Sequence, residues 1–340
     1  NRVCSLTDAR YSRAVGPLRR REFLGVAGVA GLMLATGCSS KGSGDSAPKS
    51  VTVKHIFGET TIAAPPKRVV SAGFTEQDDL LAVGVVPVAV TNWFGDQPFG
   101  VWPWAQPRLG TSRPVVLNLD NGIQVDQIAR TKPDLILAVN AGLDADTYQK
   151  LSAIAPTIAQ SGDDAFFEPW KDQATAVGTA VFQADTMRQL ITDVDTKFAD
   201  VAKNNAGFKD RKALLLAGGF FGGTLTATLP GWRTDFLTAM GLQIPDSIAS
   251  FAVDDHRAAI PRDKLADTLD GADVLIWSTE SEAEQAALLA DPVVADLRAT
   301  KQNRNVFTTK DLAGAIAFAS PLSYPVVADQ LPALLSRALG

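Results

Sequence analysis

Two stretches of this chain repeat one plan. Gln124-Val125-Asp126-Gln127-Ile128 leads through Lys132-Pro133-Asp134 into the apolar run 135–139. Pro261-Arg262-Asp263-Lys264-Leu265 leads through Gly271-Ala272-Asp273 into the run 274–278. Each stretch is an acid on a short helix, a turn ending in Asp, and a strand apolar enough to be buried on both faces. One such unit fits any α/β fold. Two, in opposite halves of the chain, point to a pseudo-symmetric α/β protein with two Rossmann-like lobes, each on its own central sheet.

The remaining pattern agrees. From Val51 onward short β-type runs alternate with helical ones. Strands are expected at 68–72, 86–91, 135–139 and 157–159, then at 213–217, 274–278 and 305–308. Helices are expected at 76–83, 124–131 and 145–154, then near 234–240, 263–269, 282–287 and 324–339. Between the halves, Trp170, Ala174, Val177, Val181, Met187, Leu190, Ile191, Val194, Phe198 and Val201 keep helical spacing, and Asn204-Asn205-Ala206-Gly207 reads as a stop. This predicts one rigid helix over Glu168–Lys203, roughly 50 Å long at about 1.5 Å per residue. The alternative is two ordinary helices broken near Gly178. The expected organisation is a lobe over 51–165, the linking helix over 166–205 and a second lobe over 206–340, with a ligand cleft between the lobes.

The first fifty residues read as an address. Six arginines (2, 10, 13, 19, 20, 21) precede an apolar run from Phe23 to Ala35, which is too short to span a bilayer and suits a signal peptide over 1–37. Arg20-Arg21-Glu22-Phe23-Leu24 resembles the twin-arginine export motif. Ala35-Thr36-Gly37-Cys38 resembles a lipobox, with Ala35 where Leu is usual. The resemblance implies export, lipid attachment at Cys38 and anchoring on the outer face of the cytoplasmic membrane. The bland alternative for Cys38 is an unpaired thiol. Residues 38–50, rich in Ser, Gly and Pro, suit a flexible tether.

Composition excludes several functions. A net charge of −5 argues against a nucleic-acid partner. Two cysteines and two histidines exclude a disulfide scaffold and a four-thiolate zinc centre. No G-x-S-x-G, H-E-x-x-H, C-x-x-C or Walker lysine motif occurs, so no enzyme constellation is legible. The stretch Leu216–Thr224 is glycine-rich but lacks the lysine of a phosphate cradle. Hinge or close-packing glycines are the expected reading.

Pro66-Lys67-Arg68-Val69-Val70, the run Leu80–Val88, Lys132-Pro133-Asp134-Leu135-Ile136, the run Leu151–Thr157 and Ala319-Ser320-Pro321-Leu322-Ser323 follow one another in order. Together they resemble the periplasmic binding proteins for iron–siderophores, haem and cobalamin, nearest the ferric-dicitrate-type iron-transport lipoproteins of mycobacteria. The resemblance covers about residues 51–340. It implies a non-enzymatic substrate-binding protein without a resident cofactor, which delivers an iron chelate to the permease subunits of an ABC importer. It also implies that one acid on each lobe docks the permease; here these would be Asp126 and Asp263, Asp where Glu is usual. Both also suit a helix start, where a carboxylate meets the positive end of the dipole.

Ligands of open α/β lobes lie beyond the carboxyl ends of the strands. Those loops offer Phe74, then Trp93, Phe94, Trp102 and Trp104, then Asn140. The second half offers Phe220, Phe221, Trp232, Arg233, Arg257, Trp277 and Tyr324. Three tryptophans and two phenylalanines crowd the aperiodic segment 91–104, which suits a ligand platform better than a core, with a packed loop as the alternative. Arg233 and Arg257 are the expected partners of anionic ligand oxygens. With haem as ligand, His256 or Tyr324 would reach the iron. A ferric siderophore is the leading ligand, haem or cobalamin the alternatives, and a lipid-tethered hydrolase the alternative of another class.

Overall fold

The computed structural model describes residues 49–340. The signal peptide, Cys38 and nearly all of the tether lie outside the described residues. The chain enters through a hairpin, β1 (Val51–His55) and β2 (Gly58–Ile62). Its buried face carries Val53, His55, Thr60 and Ile62, the alternation expected of a strand with one face inward. The Phe57 N–H donates to His55 Nδ1 at 3.2 Å, which places the ring proton on Nε2, 2.8 Å from Thr60 Oγ1. Burial lowers the His55 pKa.

The first lobe holds five parallel strands: β3 (Val69–Ser71), β4 (Ala89–Thr91), β5 (Val115–Leu117), β6 (Leu135–Ala138) and β7 (Thr157–Ala159). Their spatial order is β5-β4-β3-β6-β7. Helices α1 (Glu76–Ala82), α2 (Val125–Arg130) and α3 (Ala145–Ser152) connect them. The chain moves outward from β3 one way and returns to its other side at β6, so the switch point lies between the loops after β3 and β6.

The second lobe repeats this order with one difference. Strands β8 (Ala213–Phe221), β9 (Thr224–Thr228), β10 (Arg257–Pro261), β11 (Val274–Ser278) and β12 (Asn305–Phe307) lie as β10-β9-β8-β11-β12. β9 runs antiparallel to both neighbours, and β8, β11 and β12 are parallel. Gly222 and Gly223, at φ 56° and 81°, turn β8 into β9, a geometry that favours glycine. A Cβ at Gly218 would lie 2.6 Å from the Ser278 carbonyl oxygen, so that glycine is a close-packing one. The helices are α6 (Asp235–Ala239), α7 (Leu265–Leu269), α8 (Glu282–Ala290), α9 (Pro292–Asp296), α10 (Arg298–Lys301), α11 (Lys310–Phe318) and α12 (Ser323–Leu339).

The repeated Asp that ends each turn has one structural task. Asp134 accepts from the N–H groups of Lys67 and Arg68 at 2.8 and 2.7 Å, pinning the start of β3 beside β6. Asp273 accepts from the Lys212 N–H at 2.8 Å, pinning the start of β8 beside β11.

The single linking helix is corrected. Two helices stand in its place, α4 (Trp170–Ala180) and α5 (Ala184–Asn204), and the second ends at the predicted stop. The break falls at 181–183, where Phe182 adopts φ 62° and the Gln183 N–H bonds the Gly178 carbonyl at 2.8 Å. Gly178 lets Met187 of the next helix pack against α4; a Cβ there would lie 2.6 Å from the Met187 Cβ. Helical periodicity survives such a break because each piece keeps its own buried stripe, Trp170, Ala174 and Val177 in α4 and Met187, Val194, Phe198 and Val201 in α5. Among the described residues no helix is long and apolar enough to cross a membrane.

Candidate functional site

Strand-end loops of the first lobe meet Phe318 and Arg233 of the second, and together they build the candidate site. In the first lobe the Phe74 N–H bonds the Asn140 carbonyl at 3.0 Å, fastening the loop after β3 to the loop after β6. Glu76 completes the fastening: its carboxylate accepts from the Asn140 N–H at 2.8 Å and the Thr75 N–H at 3.2 Å. Gly73 is required beside it, since a Cβ there would lie 2.3 Å from either Glu76 oxygen. Burial pushes the Glu76 carboxyl up to about 7.

On this frame lies a layer of aromatic rings. Phe74 stacks on Trp93 at 5.6 Å and on Phe166 at 5.7 Å, and Trp93 meets Phe167 at 4.9 Å and Phe94 at 4.7 Å. The second lobe closes on the layer. Phe318, at the end of α11, lies 5.6 Å from Trp93 and 5.7 Å from Trp104. The Arg233 guanidinium lies 4.7 Å over Phe167 and 4.7 Å over Trp232. His256 stands 6.4 Å from Trp232. The rings are buried against one another, with the Arg233 cation stacked on the layer, a chemistry that suits an amphiphilic, anionic ligand.

Beneath the layer the lobes are joined by polar contacts. Asp78 Oδ2 accepts from Trp104 Nε1 at 2.8 Å and from Ser320 Oγ, across the interface, at 2.6 Å. Gln173 of α4 donates to Thr75 Oγ1 at 2.9 Å and to Asp79 Oδ2 at 2.8 Å. Burial raises Asp78 to about 6 and lifts Asp79 well above the carboxylate range, with Asp78, Glu76 and Glu168 adding repulsion. Burial also raises Glu280, at the end of β11, helped by Glu284 and by Asp96 of the other lobe.

Burial corrects four of the expected ligand contacts, Trp277, Trp102, Tyr324 and Asn140. Trp277 is wholly buried in the second sheet, its Nε1 donating to Asn305 Oδ1 at 3.0 Å; a strand residue in a parallel sheet is covered on both faces. Trp102 is 1% exposed and packs against Gly314 of α11, where a Cβ would lie 2.4 Å from its ring. Tyr324 is 2% exposed and enclosed by Trp170, Phe198 and Phe236, so it is no haem ligand. The Asn140 side chain is committed to Thr75 Oγ1 and the Phe167 N–H. Arg257 forks onto Asp254 at 2.7 and 2.9 Å. Phe74, Trp93, Phe94, Trp104, Trp232 and Arg233 do gather at the interface, while Phe221 is exposed at the β8–β9 turn and Phe220 lies under the Arg262 guanidinium. Phe166, Phe167 and Phe318 were missed. The pair 166–167 follows β7 in an aperiodic loop, the same signal that singled out 91–104.

Asp126 and Asp263 are both exposed, Asp126 in the first turn of α2 and Asp263 in a one-turn helix leading into α7. No group of three or more metal-ligating side chains is found among the described residues.

The comparisons agree with this architecture. A family model described as periplasmic binding protein matches residues 69–312. A periplasmic solute binding protein from Mycobacterium smegmatis is 65% identical over 86% of this chain and 99% of its own, with a TM-score of 0.82. PiaA of Streptococcus pneumoniae, solved in complex with ferrichrome, shares the fold at 24% identity, covering 85% of this chain and 98% of its own, with a TM-score of 0.70. The "Probable siderophore-binding lipoprotein YfiY" of Bacillus subtilis is 34% identical over 190 residues, 54% of this chain and 55% of that protein. The chain thus spans about half the length of the curated relatives it matches.

Proposed function

Because the chain belongs to the periplasmic binding protein family, we propose that it captures a ferric siderophore where its lobes meet and passes it to an ABC importer. The observation that carries this reading is the aromatic layer of Phe74, Trp93, Phe166 and Phe167, with Arg233 set over it from the opposite lobe. A ferric siderophore is an amphiphilic chelate; its organic frame suits stacked rings and its anionic oxygens suit a guanidinium. The names of YfiY and of ferrichrome-bound PiaA support the same ligand class. The work is binding, and no residue is assigned a catalytic role. In this reading residues 1–37 direct export, with Arg20 and Arg21 as the export signal, Cys38 carries the lipid, and Asp126 and Asp263 present one acid per lobe to a two-fold permease. Titration with iron-loaded and iron-free chelates, with haem as the competitor, tests the ligand class.

A further inference from the structure

A second recess lies between the linking helices and the second lobe. It encloses about 390 Å³ and is walled by α4, α5, α6 and α12. Tyr324 forms its floor, with Trp170 at 5.2 Å, Phe198 at 5.4 Å and Phe236 at 5.8 Å between ring centroids. Three rings thus surround a fourth.

The polar groups of the recess are of two kinds. One is an unused donor: Trp232 Nε1 is buried without a hydrogen-bond partner among the described residues. The charges that reach the buried Tyr324 hydroxyl are those of Arg233 and Asp235. The others are the carboxylates Asp172, Asp195 and Asp235. Lys171 is the one lysine in the wall, and it is taken by Asp195 at 2.6 Å. The same ammonium lies 5.8 Å from the Trp170 ring, so the chain itself already holds a cation against this aromatic wall.

We propose that this recess is a binding site for a small organic ammonium that also carries a hydroxyl or carbonyl oxygen. Aromatic faces attract a weakly hydrated cation, and more strongly where water is excluded. Asp172 and Asp235, exposed at the rim, supply the opposite charge, beside the Arg233 guanidinium whose charge also reaches Tyr324. The ligand oxygen accepts from Trp232 Nε1, relieving a buried donor whose desolvation is otherwise uncompensated. An anion is disfavoured by Asp172 and Asp235, and a neutral apolar guest gains nothing from them. Trp232 belongs both to this recess and to the Arg233 stack, so a guest here adjoins the interlobe site without occupying it.

The test uses choline, its neutral isostere 3,3-dimethyl-1-butanol, and tetramethylammonium, at matched ionic strength. The readout is the Trp232 indole N–H resonance, assigned with Trp232→Phe. The expected result is a saturable shift with choline, binding at least tenfold weaker for the neutral isostere, and a smaller shift with tetramethylammonium, which lacks the acceptor. Asp172→Asn with Asp235→Asn weakens choline at least fivefold while the melting temperature stays within a few degrees. Trp93→Phe, in the interlobe layer, leaves choline binding unchanged. No saturable shift, equal binding of the neutral isostere, unaltered binding by the double variant, or loss of binding in Trp93→Phe would each overturn the proposal.

Discussion

Ser320 Oγ donates a 2.6 Å hydrogen bond to Asp78 Oδ2, joining residues 242 positions apart and one lobe to the other. Asp78 is wholly buried, receives a second bond from Trp104, and leaves Oδ1 without a partner. Trp104, which shares Asp78 with Ser320, lies 5.7 Å from Phe318 of the aromatic layer, so the contact ties the two lobes together beside those rings.

Ser320→Ala removes one of two donors to a buried carboxylate. Hydrogen bonds to charged groups are worth about 1.5–3 kcal/mol. The urea midpoint is expected to fall by that equivalent with an unchanged slope. A midpoint equal to the parent's shows that the contact contributes nothing.

Gly314→Ala places a methyl 2.4 Å from the Trp102 ring at the lobe interface. Overpacking of this kind costs about 1–3 kcal/mol. Thermal unfolding is expected to shift down accordingly, and Trp102→Leu in the same chain is expected to recover part of the loss. A stable single variant, or no recovery, argues against close packing at this point.

The buried acids give an unusual pH dependence. Glu76 is raised from 4.5 to about 7, and Asp78 from 3.8 to about 6, both by burial. Between those values the folded chain binds more protons than the unfolded one, so stability falls as pH rises through the window. The melting temperature is expected to increase from pH 8 to pH 5. It then drops below about pH 4, where Asp144, Asp254 and Asp291, held low in the folded state, lose their bonds. Glu76→Gln flattens the upper limb; a profile that rises steadily from pH 5 to pH 8 contradicts the assignment.

Asp126→Ala with Asp263→Ala is expected to keep ligand affinity and a melting temperature within a few degrees, and to lose uptake in cells. Exposed charge pairs chiefly set orientation and association rate. Full uptake leaves the two acids as helix-start residues only. In the same cells Cys38→Ala is expected to free the protein from the membrane fraction; unchanged fractionation removes the anchor.

Much of this was legible in sequence because it rests on local pattern. Strands such as 135–138 and 274–278 announce themselves as short apolar runs ending a turn in Asp, and the paired units 124–139 and 261–278 revealed the two lobes. The edge strands β5 and β10, the strand β9 beside β10 and the hairpin β1–β2 were overlooked. Half-exposed strands of three to five residues carry little apolar signal. At the site, sequence order shows which side chains stand at strand ends but not how loops fold over one another. Trp102 and Trp104 are two residues apart, yet one is sealed against Gly314 and the other is half-buried at the interface. Tyr324 is expected in the cleft as part of a strand-end loop, whereas its place in the first turn of α12 turns it into the core. The alternative of two helices broken near Gly178 is the one the structure adopts; the place of the break, at Phe182, could not be read because a left-handed residue leaves no mark in a hydrophobic period.

The most direct measurement follows tryptophan fluorescence during titration with ferric siderophores of the hydroxamate, catecholate and citrate classes, each beside its iron-free form, in the parent protein and in Trp93→Phe and Arg233→Gln. At least one ferric chelate is expected to quench saturably and more tightly than its iron-free form. Trp93→Phe should then remove much of the quenching, and Arg233→Gln should weaken binding roughly thirtyfold, the equivalent of about 2 kcal/mol for a central contact. Saturable binding of haem with none of any chelate, or chelate binding untouched by both substitutions, would contradict the account.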